Sequence, residues 1–232
     1  MKRFTMRPRF VTVKSMTNEN KKNSSVTTSW QRLYSEAALY KAAVRMYTKP
    51  FFFQHQRWQH SHDGQTFYDF ARNGIKDLNK IHQQLRKKQF SFGHADARQY
   101  NFNGKIRTLY IYPWAERLVD LMLYRELCFK FDESFNQHSY AYRIHGFGVN
   151  QCQRDIQKDL RQRKTPVYVI KRDIKNYFDS IDHESCLALL QQHFKKDDYL
   201  YELLASRVKF TYYDSQNTLH HAEKGVPFGT AI

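Results

Sequence analysis

The run Val167-Tyr-Val-Ile-Lys-Arg-Asp-Ile-Lys-Asn-Tyr-Phe-Asp-Ser-Ile-Asp-His183 is the feature that most limits what this chain can fold into. Val167 to Ile170 is β-branched and aromatic, the composition of a buried strand bounded by charge. Asp173 stands at the end of that strand, where a rigid backbone can aim a carboxylate at a divalent cation. Asp179 and Asp182 follow in a turn, and the spacing predicts a helix starting near His183. Either aspartate also suits the cap of that helix, because a short carboxylate accepts the free N–H groups of a first turn. The run thus mixes strand, turn and helix, as an α+β chain does.

The rest of the chain supplies helices and one hairpin. Leu33, Ala37, Tyr40, Ala43 and Val44 recur at helical spacing from about Ser29 toward Pro50, and Phe67 to Gln89 reads as a second helix. Phe90–Tyr100 and Lys105–Tyr112 are extended aromatic and β-branched runs, and Asn103-Gly104 between them is a two-residue hairpin signal. Pro113 then suits the start of a helix through Leu118, Leu121, Met122 and Leu127 toward Phe131. A basic hairpin before a long helix can grip phosphates; the same residues also suit a surface hairpin whose charges face water.

Charge narrows the partner. The chain carries 38 Lys+Arg against 22 Asp+Glu, a net +16 over 232 residues. Residues 1–32 hold +7, residues 33–166 hold +10 and residues 167–232 hold −1. A balance of this kind points to a polyanion, nucleic acid or an anionic surface. No apolar run is long enough to span a bilayer, so no membrane partner is expected. Residues 1–30 read as a basic flexible arm with a short strand at Phe10–Val13, or alternatively as an organelle transit peptide. His55, His60 and His62 lie in a polar stretch and read as surface histidines rather than metal ligands. Cys128, Cys152 and Cys186 are too few and too scattered for a disulfide scaffold or a zinc ribbon.

Asp173-Ile174-Lys175-Asn176-Tyr177-Phe178-Asp179-Ser180-Ile181 resembles the first catalytic motif of reverse transcriptases of the group II intron and bacterial type, which reads approximately Asp-Ile-x-x-Phe/Tyr-Phe-Asp-x-Ile. Four further segments follow that family's order. Lys105-Ile106-Arg107-Thr108-Leu109-Tyr110-Ile111-Tyr112-Pro113 is similar to its Lys-x-Arg-x-Leu-x-Ile-Pro segment, with one extra residue before the proline. Arg117-Leu118-Val119 fits the start of its next helix. Phe131-Asp132 through Ser139-Tyr140-Ala141-Tyr142-Arg143 resembles its Phe-x(n)-Ser-Tyr-Gly-Phe-Arg run. Gly225-Val226-Pro227-Phe228-Gly229-Thr230 resembles its Gly-x-Pro-Gln-Gly loop, with Phe228 in place of the usual glutamine.

The resemblance implies the fingers and the first part of the palm of a right-hand polymerase. Residues 1–30 would be the arm, 31–84 an unassigned, mainly helical extension, 85–166 the fingers and 167–232 the start of an incomplete palm. It implies RNA-directed DNA polymerisation: deoxynucleotides (dNTP) added to a DNA or RNA primer on an RNA template, with two Mg2+ ions. Asp173 would bind metal together with the backbone carbonyl of Ile174. Lys105 and Arg107 would offset the charge of the triphosphate. Phe178 would lie under the sugar and exclude a 2′-hydroxyl, with Phe228 and Gly229 beside the nucleotide. Arg143, Gly225 and Pro227 would contact nucleic acid. A cognate noncoding or intron RNA is an implied partner, and the setting cytoplasmic as in bacteria, or organellar.

The family's Tyr-x-Asp-Asp motif is not in this sequence, and Asp197-Asp198 precedes the glycine loop and is out of order. One aspartate cannot hold two metal ions. The expectation is therefore a partial polymerase, inactive by itself, with a non-catalytic RNA-binding or splicing-cofactor module as the alternative. A viral RNA-dependent RNA polymerase and a nuclease using Asp173 and Asp179 are further rivals. Intron mobility, retron synthesis, diversity generation and phage defence all use this enzyme class.

Overall fold

The structure, a computed structural model, describes residues 34–48, 63–141, 143, 146–195 and 198–227. The basic arm, His55, His60, His62, Tyr142, Asp197, Phe228 and Gly229 lie outside the described residues. The elements are α1 (Glu36–Thr48), α2 (Phe67–Arg72), α3 (Gly74–Arg86), β1 (Ala95–Phe102), β2 (Lys105–Ile111), α4 (Trp114–Phe131), α5 (Val149–Gln162), α6 (His183–His193), α7 (Tyr199–Val208), β3 (Thr211–Tyr213) and β4 (Leu219–His221).

Local chemistry sets most of the boundaries. Thr66 and Asp69 form a reciprocal capping box at the start of α2. The single helix expected over Phe67–Gln89 is interrupted at Asn73, which ends α2 and precedes Gly74, the first residue of α3. Asp182 accepts the Ser185 N–H at 2.8 Å, and Asp198 accepts that of Leu200 at 3.1 Å, starting α6 and α7. The hairpin forms in the register that the turn demands, Phe102 opposite Lys105, with Asn103 at φ 52° and Gly104 at φ 83°. Both central residues at positive φ match the right-handed twist of the flanking strands.

The core is helical. Trp114, Leu118, Val119, Met122 and Leu123 of α4 pack with Leu39, Ala42 and Met46 of α1, Phe67 and Phe70 of α2, Ile81 and Leu85 of α3 and the apolar face of α7. Trp114 meets Phe67 edge-on at 4.7 Å. Helix α4 is buried on several sides, and so its sequence lacks a polar stripe. Its acids are therefore drawn inside: Glu116, Asp120 and Glu126 are all buried.

A four-stranded sheet in the order β2-β1-β3-β4 sits beside this core. β1 pairs antiparallel with β2 and parallel with β3, and β3 turns back into β4. The β3–β4 turn is closed by Asp214, whose carboxylate accepts the N–H groups of Gln216 and Thr218 and contacts His220 Nε2 at 2.8 Å. The strand expected at Val167–Ile170 is not part of this sheet. Those residues pair with no strand among the described residues, and Tyr168 is 93% and Val169 85% exposed. Branched side chains favour extended backbone, but a strand needs a neighbour for its ladder, and none is supplied there.

Candidate functional site

The backbone brings the aspartate-bearing turn and the glycine loop together, although 45 residues separate Ser180 from Gly225. Asn176 takes a left-handed conformation, φ 51°, and Phe178–Ser180 then close a 3-10 turn. The Gly225 N–H donates to the Ile181 carbonyl at 2.7 Å, and the Val226 N–H donates to the Phe178 carbonyl at 2.9 Å. His183 is buried at the start of α6, and its Nε2 donates to the Gly225 carbonyl at 2.6 Å. Since a carbonyl only accepts, this contact sets the imidazole tautomer.

Gly225 cannot readily be another residue. A Cβ built there would lie 3.0 Å from Asp179 Cα and 3.1 Å from the carbonyl oxygens of Asp179 and Phe178. Its φ of 81° adds strain for any side chain. Val226 and Pro227 are buried behind it. The loop thus lies flat against the turn that carries Phe178 and Asp179.

The other expected site residues are spread more widely. Asp173 is exposed on the extended segment before the turn, and Ile174 is 64% exposed. Lys105 and Arg107 are exposed near the tip of the hairpin. Strand alternation puts them on the face that carries Ile111, opposite the face of Tyr110. Burial pushes the Tyr110 hydroxyl up to about 12, with Tyr212 and the charge of Asp179 adding to it. Among the described residues no hydrogen bond or ion pair joins Lys105 or Arg107 to Asp173.

Arg143, expected at nucleic acid, is occupied within its own loop. Its Nε donates to Asp132 Oδ1 at 3.1 Å, one terminal nitrogen to the Asp132 carbonyl at 2.8 Å and the other to the Asn136 carbonyl at 3.3 Å. The guanidinium also lies 3.5 Å from the Phe147 ring centre. With its side chain 7% exposed, it works as a staple for the 132–148 loop.

Among the described residues the donor set does not fit a pair of magnesium ions. Among the described residues no three His, Cys, Asp or Glu side chains come together as metal ligands. Asp173 offers one exposed carboxylate, and Asp182, the nearest acid in the following helix, is engaged as its cap, which lowers its pKa.

A second cluster was not foreseen. Arg207 of α7 is fully buried and donates from Nε and a terminal nitrogen to both oxygens of Asp120, each at 2.8 Å. Glu116 Oε2 stands 3.4 Å from the same guanidinium, and Glu116 Oε1 accepts the Gly93 N–H at 3.0 Å. The guanidinium carbon lies 3.5 Å from the Phe92 ring centre and 3.8 Å from that of Tyr112. Burial pushes Glu116 up to about 7, against the opposing pull of Arg207 and the Gly93 N–H. The only sequence signal for this cluster was the presence of acids at apolar spacing in α4.

No helix among the described residues is long and apolar enough to cross a membrane. No model of a known protein family matches the chain. The chain is 24% identical over 160 residues to a COX1/OXI3 intron 2 protein of Saccharomyces cerevisiae. The aligned stretch is 68% of this chain and 18% of that protein, so the chain spans less than a fifth of the relative it matches.

Proposed function

We propose that the chain is the fingers and first palm portion of an RNA-directed DNA polymerase that works on intron-type RNA. The observation that carries the reading is the contact of Gly225 and Val226 with the Phe178–Ile181 turn. Two segments that separately resemble the polymerase family thus meet through backbone hydrogen bonds. Similarity to a yeast intron 2 protein agrees with an RNA-linked role.

In this reading Lys105 and Arg107 grip phosphates from the exposed tip of the hairpin, each cation offsetting negative charge on the nucleotide or the strand. Phe178 sits under the incoming sugar, and the flat Gly225–Pro227 loop lets the base pair approach the backbone. The described carboxylates do not complete a metal site, and no step is assigned to one. RNA binding without chemistry is the second reading, favoured by the exposed cations Lys105 and Arg107 at the tip of the hairpin.

Primer extension on an RNA template by the full-length gene product tests the proposal. Extension with deoxynucleotides that is abolished by Asp173→Ala supports it. RNA binding with no extension by the unaltered protein refutes the polymerase reading in favour of the second.

A further inference from the structure

The hairpin that carries Lys105 and Arg107 is held at both of its roots by one buried guanidinium. Phe92 and Gly93 lead into β1, and Tyr112 follows β2. The Phe92 and Tyr112 rings both pack on the Arg207 guanidinium, and the Gly93 N–H is tied to Glu116, whose other oxygen faces Arg207. Asp120 fixes the guanidinium plane through two parallel hydrogen bonds. The three anchoring side chains come from α4 and α7, so the clamp joins the hairpin to the helical core.

We infer that Arg207 is a positioning residue that sets the aim of Lys105 and Arg107. The lever is long: six strand steps from Ile111 to Lys105 span about 20 Å, so a tilt of about 5° at the root moves the tip by about 1.7 Å. A shift of that size breaks a charge-assisted hydrogen bond. Lysine cannot replace Arg207 in this role, because an ammonium has neither the flat group on which the two rings pack nor the fork that meets both oxygens of Asp120. The inference rests on the proposal that Lys105 and Arg107 grip phosphates.

The test is a thermodynamic cycle read through salt dependence. Binding of a fluorescently labelled oligouridylate is measured by anisotropy over a range of salt concentrations. The Lys105→Ala/Arg107→Ala pair is introduced into the unaltered chain and into Arg207→Lys. In the unaltered chain, losing two phosphate contacts should flatten the slope of log affinity against log salt by about 1.4, at ~0.7 per phosphate on a single strand. In Arg207→Lys the slope should already be flatter, and the same pair should change it by less than half as much. A second arm titrates dTTP in place of RNA. Loss of coupling with dTTP alone assigns the grip to the triphosphate, and with RNA alone to the strand; either supports the inference.

A merely structural Arg207 would weaken binding while leaving the two effects additive, and additivity in both arms overturns the inference. If Arg207→Lys does not fold, Tyr112→Leu serves instead, since it removes one of the two rings packed on Arg207 and leaves the buried charges paired. If the Lys105/Arg107 pair changes neither slope nor affinity in the unaltered chain, the phosphate-grip reading itself falls, and the positioning role with it.

Discussion

Replacing Glu116 with glutamine should remove a pH-dependent loss of stability. Two carboxylates, Glu116 and Asp120, face one guanidinium, Arg207, in a buried space closed by Tyr112 and the Gly93 N–H. Asp120 takes both strong hydrogen bonds, and Glu116 Oε2 is buried without one. Its pKa is raised from 4.5 to about 7, burial being the largest cause. The folded chain thus binds this proton more tightly than the unfolded chain. Below pH 4.5 both states are protonated and Glu116 costs nothing. Between 4.5 and about 7 the unfolded state ionises first and stability falls; above about 7 the loss is complete and constant. A rise from 4.5 to about 7 is worth about 3 kcal/mol, at about 1.36 kcal/mol per tenfold change in proton affinity. Glutamine keeps an oxygen for the Gly93 N–H but cannot ionise. Thermal melts at pH 4 and pH 8 then give the answer as a difference of differences, in which titrations common to both chains cancel. Glu116→Gln should gain about 6–12 °C on the unaltered chain in going from pH 4 to pH 8, at 2–4 °C per kcal/mol for a chain of this size. Parallel pH profiles of the two proteins would refute the reasoning.

Two further perturbations follow from the geometry. Gly225→Ala places a Cβ against backbone on both sides of Asp179 and should lower the urea midpoint by the equivalent of about 1–3 kcal/mol; an unchanged midpoint would mean that the loop does not lie against the turn. Arg143→Met removes the hydrogen bonds that the guanidinium donates to Asp132 and to the Asn136 carbonyl. Limited proteolysis within that loop should accelerate roughly tenfold or more, from a local cost of about 1–3 kcal/mol, and equal cleavage rates would remove the staple.

The hairpin and the cap at Asp182 were legible because each is built from groups only a few residues apart. Asn103-Gly104 can adopt its two positive φ angles whatever surrounds it, and a capping carboxylate reaches an N–H two or three residues on. The glycine loop and the aspartate turn were each visible as motifs, but their contact was not, since it depends on hydrogen bonds between residues 44 and 48 positions apart. Val167–Ile170 shows the converse: its composition is that of a strand, yet pairing depends on a neighbour that composition does not specify. Arg143 and Arg207 differ little from Lys105 and Arg107 as letters. Two became internal staples and two stayed in solvent because their carbonyl, carboxylate and aromatic partners are assembled only when distant segments pack. By itself, then, the sequence determined the hairpin, the long helix after Pro113, the helix start at Asp182 and the excess of positive charge. Tertiary structure decided which charges are buried and paired, because desolvation and pairing belong to the folded surroundings of a side chain and not to its identity.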